Sequence, residues 1–453
     1  MKLLRSRSNH LAALVFVALW LPGLRAFAQT PDSGDEFADE KAKPAKSAKS
    51  TTSAEAEAPA DAVETTPPVP AAVPPAAPEV GPYVGFAPEP SLLRIENPNA
   101  SIQFGILAQP QFEMAGSPDA ILTTKNLFLR RLRFMVGGTI FKTLEFFMQT
   151  DWPDLFKLDP VGTMAFDKNS PGMNIQDAFV TYKPFGELVK VDAGFMLPPV
   201  AHNSLESAAK LYGPDYFTNS FRRNFFSVSD RFGSSGQSPQ GRDAGVQARA
   251  LLWNGHIDFR IGVFQGHRSG PVPAAAPNPA TVGGINMFRA ALRLQINLLD
   301  SEPGYFYQGT YLGRKKIVSF GGFYDFQDTY KYFGGDLLVD LPVGPGVFTA
   351  QGNVVQWDGG TFITLTKQRA YMGEMGYLIG PLMLSPIAHF ERLVSYTPMP
   401  DPAVPSEDRY GGGLAFWPYG HNSSIKVFFL RVHRNPSPAD YNQINVQWQV
   451  YVY

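Results

Sequence analysis

The chain has 453 residues, of which 17% are charged and 13% are aromatic, with 42 glycines and a formal net charge of −1 at pH 7. It contains no cysteine, which excludes disulfides, thiolate metal sites and a cysteine nucleophile. The length alone allows two or three soluble domains, whereas few charges with many aromatic residues and glycines favour closely spaced strands flanked by aromatic belts.

Residues 1–28 are predicted to be a secretory signal peptide. They combine a basic start, a short apolar core and a small-x-small cleavage site, at Lys2, Arg5 and Arg7, at residues 11–21 and at residues 26–28. The apolar core is shorter than the ~20 residues of a membrane span, which makes an uncleaved anchor the weaker alternative. We expect the mature chain to begin at Gln29.

Residues 29–92 are rich in Ala, Pro, Glu and Lys, with proline pairs at 67–68 and 74–75. Such a composition cannot bury enough apolar surface to fold, so we expect a disordered spacer on the periplasmic side. Binding to the cell wall is the functional alternative for this segment.

From residue 93 onward the sequence predicts short amphipathic strands. In the stretch 127–138, the apolar Phe128, Leu132 and Phe134 share one parity, while Arg131 and Arg133 share the other. A strand with this alternation has one apolar and one charged face, and a closed sheet of such strands is a membrane barrel with a polar lumen. The pattern predicts sixteen strands, at 101–112, 126–138, 143–151, 174–183, 188–196, 244–253, 256–264, 286–297, 316–324, 333–341, 347–357, 369–378, 381–391, 409–417, 424–433 and 442–452.

The links between these strands alternate in length. Most links after even-numbered strands are short, with residues 298–315 as the exception, and most links after odd-numbered strands are long. Short turns on one side and long loops on the other are typical of outer-membrane barrels. We therefore predict an all-β fold, a 16-stranded antiparallel transmembrane β-barrel over 93–453, with both termini on the periplasmic side.

Arginines at charged-face positions are the candidate pore-lining residues. Arginine is always charged and binds oxyanions through a planar fork, so an inward arginine can select anions. The alternative is that an arginine pairs with an acid on a neighbouring strand and only stiffens the wall. The candidates are Arg131, Arg133, Arg249, Arg260, Arg289 and Arg293.

The link 197–243 is the longest, and a loop of this length is usually functional or disordered. Residues 203–211 have helical character, and we expect the loop to enter the lumen. Lys210, Arg222 and Arg223 are the candidate residues of the constriction. Deleting 203–225 should then increase single-channel conductance.

Four stretches are similar to the phosphate-selective porin O and P family, and the resemblance extends over about 95–453. They are FLRRLRF at 128–134 with the glycine pair at 137–138, QDAFVTY at 176–182, VDAGF at 191–195 with the proline pair at 198–199, and RDAGVQ at 242–247. The resemblance implies a sixteen-stranded barrel, usually trimeric, whose third external loop narrows the lumen. It also implies passage of phosphate along lysines and arginines. The long loop here has one lysine and several arginines, so a general anion preference stays open beside phosphate selectivity.

These features together predict a passive channel in the bacterial outer membrane for small solutes, in particular inorganic or organic anions such as phosphate. We expect a homotrimer embedded in outer-membrane lipid, without catalytic activity, metal or cofactor, and without nucleic-acid binding. One alternative is an outer-membrane barrel with a non-transport role, as an adhesin, scaffold or barrel enzyme. The other is a soluble, secreted array of β-sandwiches.

Overall fold

The computed structural model describes residues 94–117, 124–158, 172–217, 241–266, 287–360, 367–396, 406–435 and 440–453. These ranges belong to one compact unit, residues 75–453. The predicted signal peptide and spacer lie outside the described residues and stay predictions. The strands are Arg94–Glu96 (β1), Ala100–Gly116 (β2), Thr124–Ile140 (β3), Leu144–Asp151 (β4), Asn174–Tyr182 (β5), Val189–Met196 (β6), Asp243–Leu252 (β7), Ile257–Phe264 (β8), Arg289–Asn297 (β9), Ile317–Gln327 (β10), Tyr330–Val343 (β11), Gly346–Asp358 (β12), Gln368–Ile379 (β13), Leu384–Ser395 (β14), Ser406–Phe416 (β15), Ser423–Asn435 (β16) and Tyr441–Val452 (β17).

Strands β2–β17 form a closed antiparallel barrel. Each strand pairs with the next along the chain, and β17 pairs with β2, with Val452 opposite Ile106. The short β1 pairs antiparallel with the first residues of β2, with Arg94 opposite Gln103. The predicted fold of sixteen antiparallel strands is therefore confirmed, and the strand bounds differ from the predicted ones by a few residues at most ends.

The two faces of the sheet have opposite chemistry. In β8, Ile261 and Val263 are exposed on the outside, whereas Asp258 and Arg260 are no more than 2% exposed on the inside. Successive side chains of a strand point to opposite faces, so this alternation places the apolar residues outward and the charged residues inward.

None of the helices in the described ranges has the length and hydrophobicity needed to cross a membrane.

A β-bulge corrects the predicted parity at the start of β3. Between Gln109 and Pro110 the register with β3 shifts, so that two neighbouring residues of β2 lie opposite Arg131 and Leu129. A bulge inserts one extra residue and reverses the faces on one side of it. Phe128 is therefore buried inside the barrel and Leu127 is exposed outside, although the sequence pattern assigned Phe128 to the apolar outer face.

The connections define two rims. The short-turn rim carries residues 141–143, 183–188, 253–256, 344–345, 380–383 and 417–422, together with the described ends of the chain. The long-loop rim carries the longer links and one exception, a two-residue turn between β10 and β11 at Asp328 and Thr329. Two connections turn into the barrel: residues 197–217 from the long-loop rim, the first in-turned segment, and residues 298–316 from the short-turn rim, the second in-turned segment.

Candidate functional site: the barrel interior

The first in-turned segment follows β6 and is held by inward side chains of distant strands. Lys426 Nζ donates to the carbonyl oxygens of Leu211 and Gly213, both at 2.7 Å. Gln449 Nε2 donates to the carbonyl oxygen of Ala209 at 2.8 Å. These contacts come from β16 and β17, across the barrel from β6, so residues 197–217 cross the barrel interior.

The local structure of this segment differs from the prediction. His202–Leu205 form a single 3-10 turn, and the following residues up to Leu211 are not helical. Glu206 instead forms a parallel β-bridge with Tyr307, which belongs to the second in-turned segment. Backbone pairing across the lumen satisfies the same amide groups that a helix would have satisfied internally.

The second in-turned segment lies between β9 and β10. The backbone N–H of Tyr307 donates to the carbonyl oxygen of Leu205 at 3.0 Å, and that of Ser207 donates to the carbonyl oxygen of Tyr307 at 3.0 Å. The N–H of Gly309 donates to the carbonyl oxygen of Lys210 at 2.9 Å. The two segments enter from opposite rims, and these backbone hydrogen bonds join them into one plug inside the barrel.

His202 joins the two segments through its side chain. Its Nδ1 lies 3.2 Å from Glu206 Oε1, its Nε2 lies 3.2 Å from Glu302 Oε1, and its ring stacks on Tyr307 with centroids 4.6 Å apart. Burial lowers the pKa of His202, but the Glu302 and Glu206 carboxyl groups outweigh this effect and raise it to about 9. The imidazolium therefore forms a charged link between the segments at neutral pH.

Four of the predicted pore-lining arginines are buried inside the barrel: Arg249, Arg260, Arg289 and Arg293. Arg260 donates to the carbonyl oxygens of Gly304 and Tyr305, at 3.0 and 2.8 Å, in the second in-turned segment. Arg293 donates to the carbonyl oxygen of Val200 at 3.0 Å in the first. Each of the four also pairs with an acid, in the pairs Arg249–Asp192, Arg260–Asp258, Arg289–Asp325 and Arg293–Asp336.

Arg131 and Arg133 lie on another part of the wall, in β3. Arg131 donates to Gln109 Oε1 at 2.8 Å, forms an ion pair with Asp215, and lies 5.3 Å from the ring centroid of Tyr216. Arg133 Nη2 lies 2.9 Å from Asp151 Oδ2. All six arginines thus project inward and have acidic partners, and a role in lining a pore stays a prediction for each of them.

Asp215 receives two guanidinium groups, those of Arg130 and Arg131. Burial raises the pKa of Asp215, but the two positive charges outweigh this effect and hold it well below its usual range. Asp215 therefore stays ionised and fixes the adjacent Tyr216, whose hydroxyl donates to the carbonyl oxygen of Glu206 at 2.8 Å.

In the described part of the barrel, two cavities lie between the in-turned segments and the barrel wall. The upper cavity has a volume of about 220 Å³, faces the long-loop rim, and is bounded by Gln111, Arg130, Asp215, Glu391, Arg409 and Gln443 among others. The lower cavity has a volume of about 270 Å³, faces the short-turn rim, and is bounded by Arg133, Lys210, Arg242, Tyr305, Phe306 and Tyr453 among others. Tyr216 belongs to the walls of both cavities.

The cavities differ in the charges around them. The wall of the lower cavity contains Arg133, Lys210 and Arg242 but one carboxylate, that of Glu206. The wall of the upper cavity contains three Lys or Arg side chains and four carboxylates, from Arg130, Lys157, Arg409, Glu113, Asp154, Asp215 and Glu391. Of the predicted constriction residues, Lys210 lies at the lower cavity, and Arg222 and Arg223 lie outside the described residues.

Sequence reasoning missed the second in-turned segment and Tyr216. The signal for the segment was present, because residues 298–315 are a long link on the side where the other links are short, and they contain three consecutive aromatic residues at 305–307. No sequence pattern marked Tyr216, whose position depends on where the loop returns.

In the part of the chain that the structure describes, no three His, Asp or Glu side chains are arranged to hold a metal ion.

Comparison with known proteins gives a distant likeness in structure alone. No family model and no curated protein matches the chain. OmpT of Vibrio cholerae, an outer-membrane protein solved in its trimer form, is 11% identical, with a TM-score of 0.44 over 78% of this chain and 99% of that one. The channel DcaP of Acinetobacter baumannii is 12% identical, with a TM-score of 0.47 over 80% and 100%. OpdK of Pseudomonas aeruginosa, solved with vanillate, is 10% identical, with a TM-score of 0.43 over 78% and 98%. Likenesses this distant carry no functional inference.

Proposed function

We propose that the protein is an outer-membrane channel for the passive diffusion of small solutes, with a preference for anions such as phosphate. The observation that carries the proposal is the pair of cavities, which open towards opposite rims of a closed barrel and meet at Tyr216. A solute that passes Tyr216 would move from one side of the barrel to the other.

The outer surface supports a position in a membrane. Large apolar side chains are exposed around the barrel, including Phe134, Val180, Ile261, Leu294, Phe320, Val354, Phe390 and Trp448. Exposed apolar surface of this extent is costly in water, whereas an outward apolar band is what the hydrocarbon layer requires of a barrel. The barrel leaves no open sheet edge, which lipid would not tolerate.

The size and charge of the cavities support small anions as the solutes. Pockets for drug-sized molecules measure about 300–1,000 Å³, so cavities of 220 and 270 Å³ suit smaller solutes. Three basic side chains against one acid at the lower cavity favour anions there, since lysine and arginine rings are the usual lining of anion pores. The acids behind Arg133 and Arg242 reduce this preference, which supports a moderate rather than an absolute selectivity.

The test is the conductance and reversal potential of the purified full-length protein in planar bilayers under a salt gradient. We expect measurable conductance and a reversal potential towards that of the anion, measured with chloride and again with phosphate. Absence of conductance would leave a non-transport barrel, and a reversal potential towards that of the cation would contradict the anion preference.

Tyr216 gives the proposal a test at one residue. Replacing Tyr216→Ala removes the ring between the two cavities, so single-channel conductance should rise. Tyr212→Ala is the matched control, because that buried tyrosine belongs to the same segment but to neither cavity wall. An equal change in both variants would indicate a general loosening of the segment.

The sidedness and assembly of the channel are also proposals. Both described ends of the chain lie at the short-turn rim, which supports placing both termini in the periplasm. A homotrimer is proposed from the family resemblance, and light scattering of the detergent-purified protein would give the number of subunits. Proteolysis of intact and permeabilised cells would test the location of the termini.

A further inference from the structure

The outer surface of the barrel carries a basic patch at the long-loop rim of β11–β16. Its members are outward-facing side chains or lie at the strand ends: Lys331, Lys367, Arg369, Arg392, Arg431 and His433. We propose that this outer basic patch binds the phosphate groups of a phosphorylated glycolipid in the outer leaflet. The inference rests on the outer-membrane location proposed above and concerns a surface separate from the lumen.

The outward direction of these side chains follows from strand parity. In β13, Gln368 and Ala370 are fully buried inside, so Arg369 between them points outward. In β14, Glu391 and Leu393 are no more than 1% exposed inside, and the side chain of Arg392 between them is 57% exposed. A cation in these positions faces the surroundings of the barrel and not its interior.

The strand register brings the members of the patch together. Arg369 lies opposite Val394 and Arg392 lies opposite Tyr371, which makes the two arginines diagonal neighbours on one face. Diagonal neighbours in an antiparallel sheet are about 7–8 Å apart, within reach of two long side chains that share one ligand. On the other side, Arg392 lies opposite Asp408, and Asp408 lies opposite His433.

Arg369 is held in place by uncharged groups. Its Nη2 donates to Gln356 Oε1 at 2.7 Å, its Nη1 donates to the Tyr371 hydroxyl at 3.3 Å, and its guanidinium lies 5.4 Å from the ring centroid of Tyr396. Within the described ranges, no carboxylate lies within ion-pair distance of Arg369. A guanidinium oriented by neutral partners keeps its charge available for an anion, and its planar fork fits phosphate oxygens.

The acids of the patch only partly balance it. Asp358 lies 4.0 Å from Lys367, Asp408 lies 3.6 Å from Arg392, and Asp440 lies 2.7 Å from His433. With Asp328 in the turn before Lys331, five Lys and Arg side chains meet four carboxylates, an excess of one positive charge before His433 is considered. These contacts are long or exposed, and exposed pairs contribute little, so an incoming phosphate can compete for the cations.

The described parts of β2–β9 have a different outer surface towards the same rim. Apart from Lys125, their outward positions there are mainly apolar, such as Met114, Leu127, Ile175, Val263 and Ala290. Directly below the patch lie aromatic residues, Phe333, Tyr371, Phe390 and Tyr410, of the kind that lie at a membrane interface. The cations thus lie at the headgroup level of one sector, which is where lipid phosphates would meet them.

The experiment compares lipid binding by the folded full-length protein in detergent. Bis-phosphorylated lipid A and the same lipid with its phosphates removed are titrated, and bound lipid is counted by native mass spectrometry in EDTA, which excludes bridging metal ions. The wild-type protein should bind the phosphorylated form at least about tenfold more tightly. Equal binding of the two forms would overturn the proposal.

Variants assign the binding to the patch. Arg369→Gln with Arg392→Gln should reduce the affinity for phosphorylated lipid A by about tenfold or more, and Arg392→Gln alone by a smaller factor. Arg94→Gln with Lys142→Gln removes two exposed cations at the opposite rim and should leave the affinity unchanged. An unchanged affinity in the patch variant, or an equal loss in both double variants, would contradict the assignment. Channel conductance of the patch variant should be that of the wild type, which separates failure of this inference from failure of the channel proposal.

Discussion

The interior wall of the barrel has two sides that obey the same strand parity but differ in chemistry. The covered side, β6–β11, lies against the in-turned segments and contains arginine–aspartate pairs such as Arg249–Asp192, Arg260–Asp258 and Arg293–Asp336. The open side, β14–β17 with β2 and β3, contains many amides; Gln111, Gln443 and Asn445 bound the upper cavity, whereas Gln109, Gln447 and Gln449 are buried.

The difference shows that a polar side chain that points into the barrel does not necessarily line a pore. On the covered side, water is excluded, and a buried charge there needs a partner and further hydrogen bonds. On the open side, amides both donate and accept without carrying charge, as in the contacts of Gln449 with Gln109 and of Gln447 with Gln111, and Gln111 also bounds the upper cavity. Selectivity should therefore depend on the open side, and rigidity on the covered side.

The largest effect is expected from breaking an ion pair on the covered side. Asp192→Ala leaves Arg249 without its carboxylate and removes the acceptor for Thr181 and Gln247. Loss of one partner of a buried pair costs about 3–5 kcal/mol, which urea unfolding in detergent would measure. The double change Asp192→Leu with Arg249→Met should be closer to the wild type than Asp192→Ala. A double variant that is less stable than the single one would contradict this account.

The His202 link between the in-turned segments should be next in size and should depend on pH. The pKa of His202 is raised to about 9 in the folded protein, so its stabilising effect is fully present below the unfolded value of about 6.5 and is lost as the pH rises through 9. Glu206, Glu302 and Tyr307 face the ring, and Asp336 accepts from the backbone N–H of His202. His202→Gln should cost about 1.5–3 kcal/mol at pH 6.

The measurement for His202 is the difference in unfolding free energy between wild type and His202→Gln at pH 6 and pH 10. The difference should be larger at pH 6. His256→Gln is a suitable control, because that ring contacts the carbonyl oxygen of Asn297 and belongs to a rim turn. A difference that does not change with pH would mean that the imidazolium does not stabilise the link.

Removing an amide from the open side should have a comparable or smaller effect. Gln449 donates to the carbonyl oxygens of Ala209 and His421 and accepts from Gln109. Gln449→Leu removes the donor for the two carbonyl oxygens and one acceptor of Gln109, which still donates to the carbonyl oxygen of Ala208, so we expect a cost of about 1–3 kcal/mol. Gln443→Leu, at the cavity surface, should cost less still. A cost for Gln449→Leu above that of Asp192→Ala would reverse the proposed difference between the two sides.

The smallest effect on stability is expected in a short turn at the rim, which belongs to neither side of the interior wall. Lys183 in a short turn lies 2.6 Å from Glu145 Oε1 and 3.3 Å from Glu187 Oε1. Ion pairs at a partly exposed rim turn contribute about 0–1 kcal/mol, so Lys183→Gln should barely change the urea midpoint. A loss comparable to that of Asp192→Ala would show that exposure does not weaken ion pairs in this barrel.

Much of the fold was predictable because a barrel strand has a simple period. The sixteen strands, the antiparallel order and the inward positions of Arg131 and Arg133 follow from alternation and turn length. Phe128 was assigned to the wrong face because a bulge at Gln109 and Pro110 shifts the register between β2 and β3. The local signal was Pro110, since the interior of a sheet accepts proline mainly at bulges. The helix expected in 203–211 was also wrong, because pairing with Tyr307 competes with the local preference.

The sequence by itself determined the barrel and, away from the bulge in β2 and β3, which residues turn inward, since side-chain direction along a regular strand is a local property. Only the tertiary structure decided which inward residues face a cavity, because that depends on where two distant segments, 197–217 and 298–316, fold back and meet. Arg260 and Arg293 have the same sequence pattern as Arg131, yet they donate to the backbone of those segments, whereas Arg131 lies beside Tyr216 between the cavities. Burial depends on contacts between residues far apart in the chain, and the alternation along one strand does not reveal such contacts.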